Sequence, residues 1–256
     1  MTNMMAATQE PQHQVTSLFY AGQSHPLEFT ELAPGIIAYH NILTPEMDII
    51  NRLEGGLAKP GAPYKWQPAN LNFGHNDKAH RNCFDFKVKT APNGQPGNLG
   101  PTNEFNSDLY ALYDQVIERL NAVLQQHYNP NHYLSNISYF ECINFVRYGK
   151  GEYFKVHTDD GDPYRCTVSC VGYPNDNYAG GELAFPRFNV FYKPKAGDFV
   201  IAPSSYIYAH SAEPVTDDGV KYSLVIMTDR NEFAHRKDSP AYHPKEYREQ
   251  YGVPQR

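Results

Sequence analysis

The sequence predicts a mainly β protein with α-helical additions (α+β), its core a jelly roll (double-stranded β-helix) supported by N-terminal helices. Three observations carry that expectation. The 256 residues include 20 Tyr, 14 Phe, 20 Pro and 18 Gly, strand formers interleaved with turn formers. From Ile137 onward, short apolar runs recur at about 139–148, 153–159, 165–173, 181–185, 189–193, 198–202, 206–210 and 222–228, each broken by Gly, Pro, Asn or Asp. Just before them lies one strongly periodic helical segment, and a length of this order suits one all-β unit of roughly 200–250 residues.

In chain order, residues 1–30 are polar and read as a flexible leader ahead of one domain spanning 31–256. That domain divides into helical support and substrate-side loops (31–136), a jelly-roll core (137–230) and a C-terminal tail (231–256). The apolar run Pro34-Gly35-Ile36-Ile37-Ala38-Tyr39 predicts a strand. Thr44 as cap, Pro45 at the first helical position, and Met47, Ile50, Leu53 and Leu57 near a 3.6 spacing predict a helix, weakened at its far end by Gly55-Gly56. Cys83–Val88 alternates as a half-wet strand within loops. Leu109, Leu112, Tyr113, Val116, Leu120, Val123 and Leu124 fall on one stripe of a helix from about Asp108 to His127.

Composition excludes several function classes. A net charge of -6 without Lys/Arg clusters offers little to a phosphate backbone, so no nucleic-acid partner is expected. No apolar stretch approaches the ~18 residues of a membrane span. The first thirty residues hold no Lys, Arg or apolar run of a secretory signal, so a cytoplasmic location is expected. Cys83, Cys142, Cys166 and Cys170 contain no CxxC and read as buried reduced thiols.

The chemistry rests on histidines with nearby carboxylates. Eleven His and 28 acidic residues make about one His-x-Asp/Glu spacing by chance, and two occur. His75-Asn76-Asp77 sits in a turn-like stretch and reads as an ordinary polar loop. His157-Thr158-Asp159 ends a strand-like run, where residues i and i+2 share a face and can grip one ion. A second imidazole would complete two nitrogens and one carboxylate, a set that leaves three positions open on an octahedral metal. His210, in another strand-like run, is the best candidate. Lys221 opens an otherwise apolar strand: turned inward it needs an anion, turned outward it faces water.

These residues stand in an ordered series: His157-Thr158-Asp159, Gly180-Gly181-Glu182-Leu183, Phe185-Pro186, Pro194-Lys195-Ala196-Gly197-Asp198, His210, Pro214-Val215, then Gly219-x-Lys221-Tyr222-Ser223. The series resembles the 2-oxoglutarate/Fe(II) dioxygenases of the prolyl 4-hydroxylase type. The resemblance covers about Ile137 to Met227, and more weakly Pro34–Ile37 and Leu43–Glu46. It implies that His157, Asp159 and His210 ligate Fe(II) and that Lys221 pairs with the distal carboxylate of 2-oxoglutarate. Tyr148 and Tyr173 line the co-substrate pocket, with core packing as their alternative role, and Ser223 helps. The implied reaction couples oxidative decarboxylation of 2-oxoglutarate by O2 to C–H hydroxylation, with ascorbate as supporting reductant. A protein or peptide substrate, peptidyl proline first, is expected. The alternatives are a free amino acid or other small molecule as substrate, or a non-catalytic metal-binding β-sandwich interaction domain. The loop 60–105, with Trp66, His80, Arg81 and Asp85, is where the resemblance puts the substrate side.

Overall fold

In a computed structural model, which describes residues 12–69, 71, 77–88, 103–160 and 165–231, the strands pair into two stacked sheets. The strands are β1 His13–Tyr20, β2 Gln23–Ala33, β3 Ile36–His40, β4 Gln67–Pro68, β5 Arg81–Asn82, β6 Phe84–Val88, β7 Tyr139–Phe140, β8 Ile143–Tyr148, β9 Tyr153–His157, β10 Val168–Gly172, β11 Leu183–Phe185, β12 Val190–Tyr192, β13 Phe199–Pro203, β14 His210–Ala212 and β15 Lys221–Asp229. The larger sheet runs β1-β2-β3-β13-β10-β15-β8-β6-β4, with β7 also on β15, and the smaller runs β12-β11-β14-β9-β5. Helices α1 (Ile49–Ala58) and α2 (Ser107–Val123) pack on the outer side of the larger sheet. A π turn over Leu124–Tyr128 and a short α3 (Asn129–Asn131) follow α2.

The site is positioned by alternation in the central strands. On β15, Leu224 and Ile226 enter the helix-side core, whereas Lys221, Ser223, Val225 and Met227 face the space between the sheets. On β8, Ile143 and Phe145 take the helix side and Asn144, Val146 and Tyr148 the inner side. The period of two gives a strand covered on both faces one greasy and one partly polar row. The helix stripe foreseen in the sequence (Leu109, Leu112, Tyr113, Val116, Leu120, Val123, Leu124) is buried throughout, each Leu contributing about 1.5–3 kcal/mol. Gly56 of α1 faces α2, where a Cβ would make ordinary van der Waals contact with Leu109 (3.6 Å to Cδ2). The Arg52 guanidinium ties the pair by donating to both carboxylate oxygens of Asp108 (2.8 and 2.9 Å).

Four expectations are corrected. The leader is not unstructured through residue 30: β1 and β2 form a hairpin paired residue for residue from His13↔Thr30 to Tyr20↔Gln23, and β2 joins β3. Its polar look follows from exposure, since only Leu18 of β1 is buried. Pro26 is tolerated because the β2–β3 ladder runs only from Glu28 to Ala33, so the missing N–H breaks no bond on that side. The helix foreseen from Thr44 is split. Pro45–Met47 is a 3-10 turn, Asp48 adopts a left-handed conformation (φ 46°), and Thr44 makes no side-chain cap. Tyr206–Tyr208 is a 3-10 turn rather than strand, and the strand starts at His210. The run 153–159 ends as strand at His157. Residues 1–11, most of the 231–256 tail, and His75 and Asn76 of the first His-x-Asp spacing lie outside the described residues. All four cysteines are buried thiols in no disulfide, as expected. None of the described helices is long and apolar enough to cross a membrane.

At the free edge of β1, the Gln126 side chain both accepts from Phe19 N (2.9 Å) and donates to Phe19 O. The π turn carries that glutamine.

Candidate metal and anion site

His157 ends β9 and His210 opens β14, and the antiparallel pairing sets them directly opposite one another. One step on, Ala212 pairs with Phe154, so β9 spends three residues where β14 spends two. That bulge is why Phe154 and His157, three apart, both line the inner cavity. Asp159 reaches the same point from the bend after β9 and is buried. One ligand atom from each of the three lies within 4.8 Å of the others. His157 Nε2 is 3.6 Å from Asp159 Oδ1, and His210 Nε2 is 3.6 Å from Asp159 Oδ2.

The donor chemistry fits a cation. His157 Nδ1 contacts the Lys155 carbonyl (2.8 Å) and His210 Nδ1 the Tyr208 carbonyl (3.2 Å), which places the ring proton on Nδ1 and leaves each Nε2 lone pair facing Asp159. Asp159 Oδ2 is buried with no hydrogen-bond partner. Burial works against the Asp159 charge. Positive charge on the neighbouring His210 and His157 overcomes it and holds the carboxyl well below its usual range, the demand that a bound cation would answer when the rings are neutral. Burial pushes His210 down, toward the neutral imidazole a metal needs.

The inner cavity of about 70 Å³, several times what one water occupies, joins this corner to Lys221. Lys221 pairs with Tyr148 across β15 and β8, and its Nζ lies 5.0 Å from the Tyr148 ring centre and 5.5 Å from that of Tyr173. The lysine is 1% exposed, and its ammonium donates to Gly181 O at 2.6 Å. Burial, reinforced by the charge of Lys193, pushes it down to about 7. Tyr148 and Tyr173 are raised by burial and stay protonated donors. Gly181 has φ +67°, and a Cβ on it would meet Tyr178 at 2.9 Å and Lys221 Cδ at 3.0 Å. Only glycine turns that carbonyl onto the lysine.

All six foreseen residues (His157, Asp159, His210, Tyr148, Tyr173, Lys221) therefore line one cavity, and Ser223 joins them. The substrate-side expectation divides. Arg81 lines the cavity, with its guanidinium 4.8 Å from the Phe154 ring centre and 3.3 Å from Asp85. Trp66 does not line it. It packs against the helix-side core, donating to Glu54 at 3.1 Å beneath Arg147, on the opposite face from Tyr148. Sequence reasoning missed Asn144, Phe154 and Met227 as lining residues. Asn144 and Met227 could have been found by extending the inward register of Tyr148 and Lys221 along their strands.

Residues 143–228 match the 2OG-Fe(II) oxygenase superfamily. The chain carries a 2OG-Fe(II) oxygenase domain. Iron, 2-oxoglutarate and O2 are the cofactor set of that superfamily, and its chemistry is dioxygenase chemistry. Among solved structures, a Pseudomonas putida prolyl-4-hydroxylase is similar over 77% of this chain and 93% of its own, at 21% identity and TM-score 0.51. A Trichoplax adhaerens prolyl hydroxylase, solved with a hypoxia inducible factor oxygen degradation domain peptide fragment, is similar over 77% and 84%, at 16% identity and TM-score 0.53. These likenesses establish the oxygenase jelly-roll fold. No curated protein matches the chain by sequence.

Proposed function

We propose that the protein is a 2-oxoglutarate- and Fe(II)-dependent hydroxylase of peptidyl proline. In this reading His157, Asp159 and His210 hold the iron, Lys221 with Tyr148 and Tyr173 holds the distal carboxylate of 2-oxoglutarate, and residues 31–230 work as one catalytic unit completed by the β1–β2 hairpin. The supporting observation is a pair of opposite demands at the two ends of one cavity. Asp159 Oδ2 is a buried acceptor without a donor, and Lys221 is a buried cation in none of the ion pairs among the described residues. A metal ion answers the first and a dicarboxylate the second.

Bound iron supplies the Lewis-acid and redox chemistry that activates O2. The chain's own contributions are orientation and exclusion of water. The carbonyls of Lys155 and Tyr208 fix the imidazoles, and Phe154 stacks on the His157 ring (centres 3.5 Å apart). Val146, Leu183 and Val225 wall the cavity between Lys221 and the metal corner with apolar surface.

An open groove of about 550 Å³, lined by His80, Tyr153, Lys155, Ser211, Glu213 and Pro214, adjoins the cavity through Phe154 and Ala212. Its volume, within the about 300–1,000 Å³ of sites for larger ligands, favours a peptide over a free amino acid. The test is succinate release and a product one oxygen atom heavier when proline-containing peptides meet protein, Fe(II), ascorbate and 2-oxoglutarate. His157→Ala is expected to lower succinate release by more than the about 10–100-fold that loss of a ligand's hydrogen-bond partner costs. Undiminished, iron-independent turnover in that variant would overturn the reading. Oxidation of free amino acids but no peptide would move the substrate to the small-molecule class.

A further inference from the structure

The strand end that carries Lys221 is paired unequally on its two sides. Toward β8 the ladder starts at the lysine itself, with Lys221 opposite Tyr148. Toward β10 it starts only at Leu224, opposite Gly172. Continuing that second register puts Pro174 opposite Tyr222 and Asn175 opposite Lys221, and a proline has no N–H to give a ladder. The buried ammonium therefore sits on a stretch of β15 that lies beyond the β10 ladder.

Asn175 spans that stretch with its carboxamide. Its Oδ1 accepts from Tyr222 N (3.0 Å) and its Nδ2 donates to Val220 O (2.8 Å), so it holds the two peptide groups that meet at Lys221. The other Nδ2 proton goes to Asn177 Oδ1 (2.6 Å). These partners fix which end of the amide is which, since an N–H needs the oxygen and a carbonyl needs the amino group. One side chain thus stands in for two ladder bonds. The loop can lie this close because residue 219 is glycine: a Cβ there would come within 2.8 Å of Asn177 O and 2.9 Å of Tyr178 Cα.

Such a clamp has a force to resist. A buried ammonium gains free energy by reaching water, and Lys221 is 1% exposed, its Nζ donating to Gly181 O. Strand ends are where local opening costs least, so fraying here is the route by which the lysine would leave the cavity. Asn175 itself does not line the cavity, but Tyr173, two residues earlier, does.

We propose that Asn175 is a positioning residue for the anion end: by clamping both peptide groups of Lys221 it keeps the ammonium turned into the cavity, where the distal carboxylate of 2-oxoglutarate is held. This rests on the 2-oxoglutarate reading above.

The experiment is a double-mutant cycle on 2-oxoglutarate affinity, by anaerobic isothermal titration of Fe(II)-loaded wild type, Asn175→Ala, Lys221→Met and the double variant, with the melting temperature of each measured alongside. Asn175→Ala is expected to raise the dissociation constant about fivefold, the worth of one hydrogen bond, when Lys221 is present. In the Lys221→Met background the same change is expected to stay within about twofold, because the residue it acts through is gone. Fe(II) binding without co-substrate is expected to keep its wild-type value. Asn177→Ala frees the amide without removing it and serves if Asn175→Ala does not fold; it is expected to give a rise of about threefold that likewise disappears beside Lys221→Met. Unchanged affinity in these asparagine variants, or the same loss in both backgrounds, would overturn the proposal and leave Asn175 a structural tie only. A wild-type protein that binds no 2-oxoglutarate would overturn the co-substrate reading and this inference together.

Discussion

The two ends of the inner cavity treat buried charge in opposite ways. At the metal corner two histidines lie 3.6 Å from the carboxylate, and positive charge held there keeps Asp159 ionised despite burial. At the other end, the chain gives Lys221 one carbonyl and two aromatic faces, and burial brings its affinity for a proton down to about 7. Full compensation inside the protein makes a stable core and a poor receptor. Lys221 is the less compensated end, so it is where ligand binding and protein stability should trade most directly.

Replacing the lysine breaks this comparison with the largest effect. Lys221→Met is expected to weaken 2-oxoglutarate binding about 10–100-fold, from the loss of a charge-assisted bond worth about 1.5–3 kcal/mol. The same variant should melt higher than wild type without ligand at pH 7, because a buried charge is replaced by a thioether. Isothermal titration and a thermal melt of one sample measure both. A lower melting temperature together with unchanged affinity would mean the lysine is a structural element only.

Next in size is a proton. The folded-state lysine titrates near 7, below its unfolded value of about 10.4, so the ligand-free fold gains stability as pH rises between those values and carries the full cost of the buried charge below them. A dianion seated on Nζ restores the charge. Binding of 2-oxoglutarate at pH 8 should therefore take up about one proton, seen as a dependence of the binding enthalpy on buffer ionisation heat. Lys221→Met should abolish that dependence. Equal enthalpies in phosphate and Tris for the wild type would remove the contrast between the two ends.

The smallest effect sharpens rather than breaks the comparison. Gly181→Ala strains a φ of +67° and crowds Tyr178 and Lys221 Cδ, a cost of about 1–3 kcal/mol. It should lower the melting temperature and weaken 2-oxoglutarate binding several-fold, while anaerobic Fe(II) binding without co-substrate stays at the wild-type value. Loss of metal binding in this variant would show that the two ends are not independent.

Much of this arrangement was legible in the chain, for reasons that differ by residue. His157-Thr158-Asp159, His210 and Lys221 sit in ordered motifs, and Lys221 stood out as a charge opening an apolar strand that the sheet covers on both faces. The α2 stripe was legible because a helix with one buried face writes its period into the sequence. The β1–β2 hairpin was not, because most of β1 is exposed and an exposed strand writes no hydrophobic alternation. Tyr206-Ile207-Tyr208 misled for the opposite reason. Its side chains are strand-like in type, yet Tyr206 is 70% and Ile207 42% exposed, so no sheet face holds them. Phe154 was beyond reach, since its place in the cavity depends on a bulge that leaves no local pattern.

The side chain of Gln126 has a consequence for how the molecule behaves among its own copies. Sheets end in a row of backbone donors and acceptors, and a strand end left open is a template for a neighbouring chain. By engaging both the N–H and the carbonyl of Phe19, this one amide imitates two rungs of an incoming strand. It acts as a stopper on the outermost ladder, at the end where the exposed ring of Phe19 would otherwise invite growth of the sheet from protein to protein.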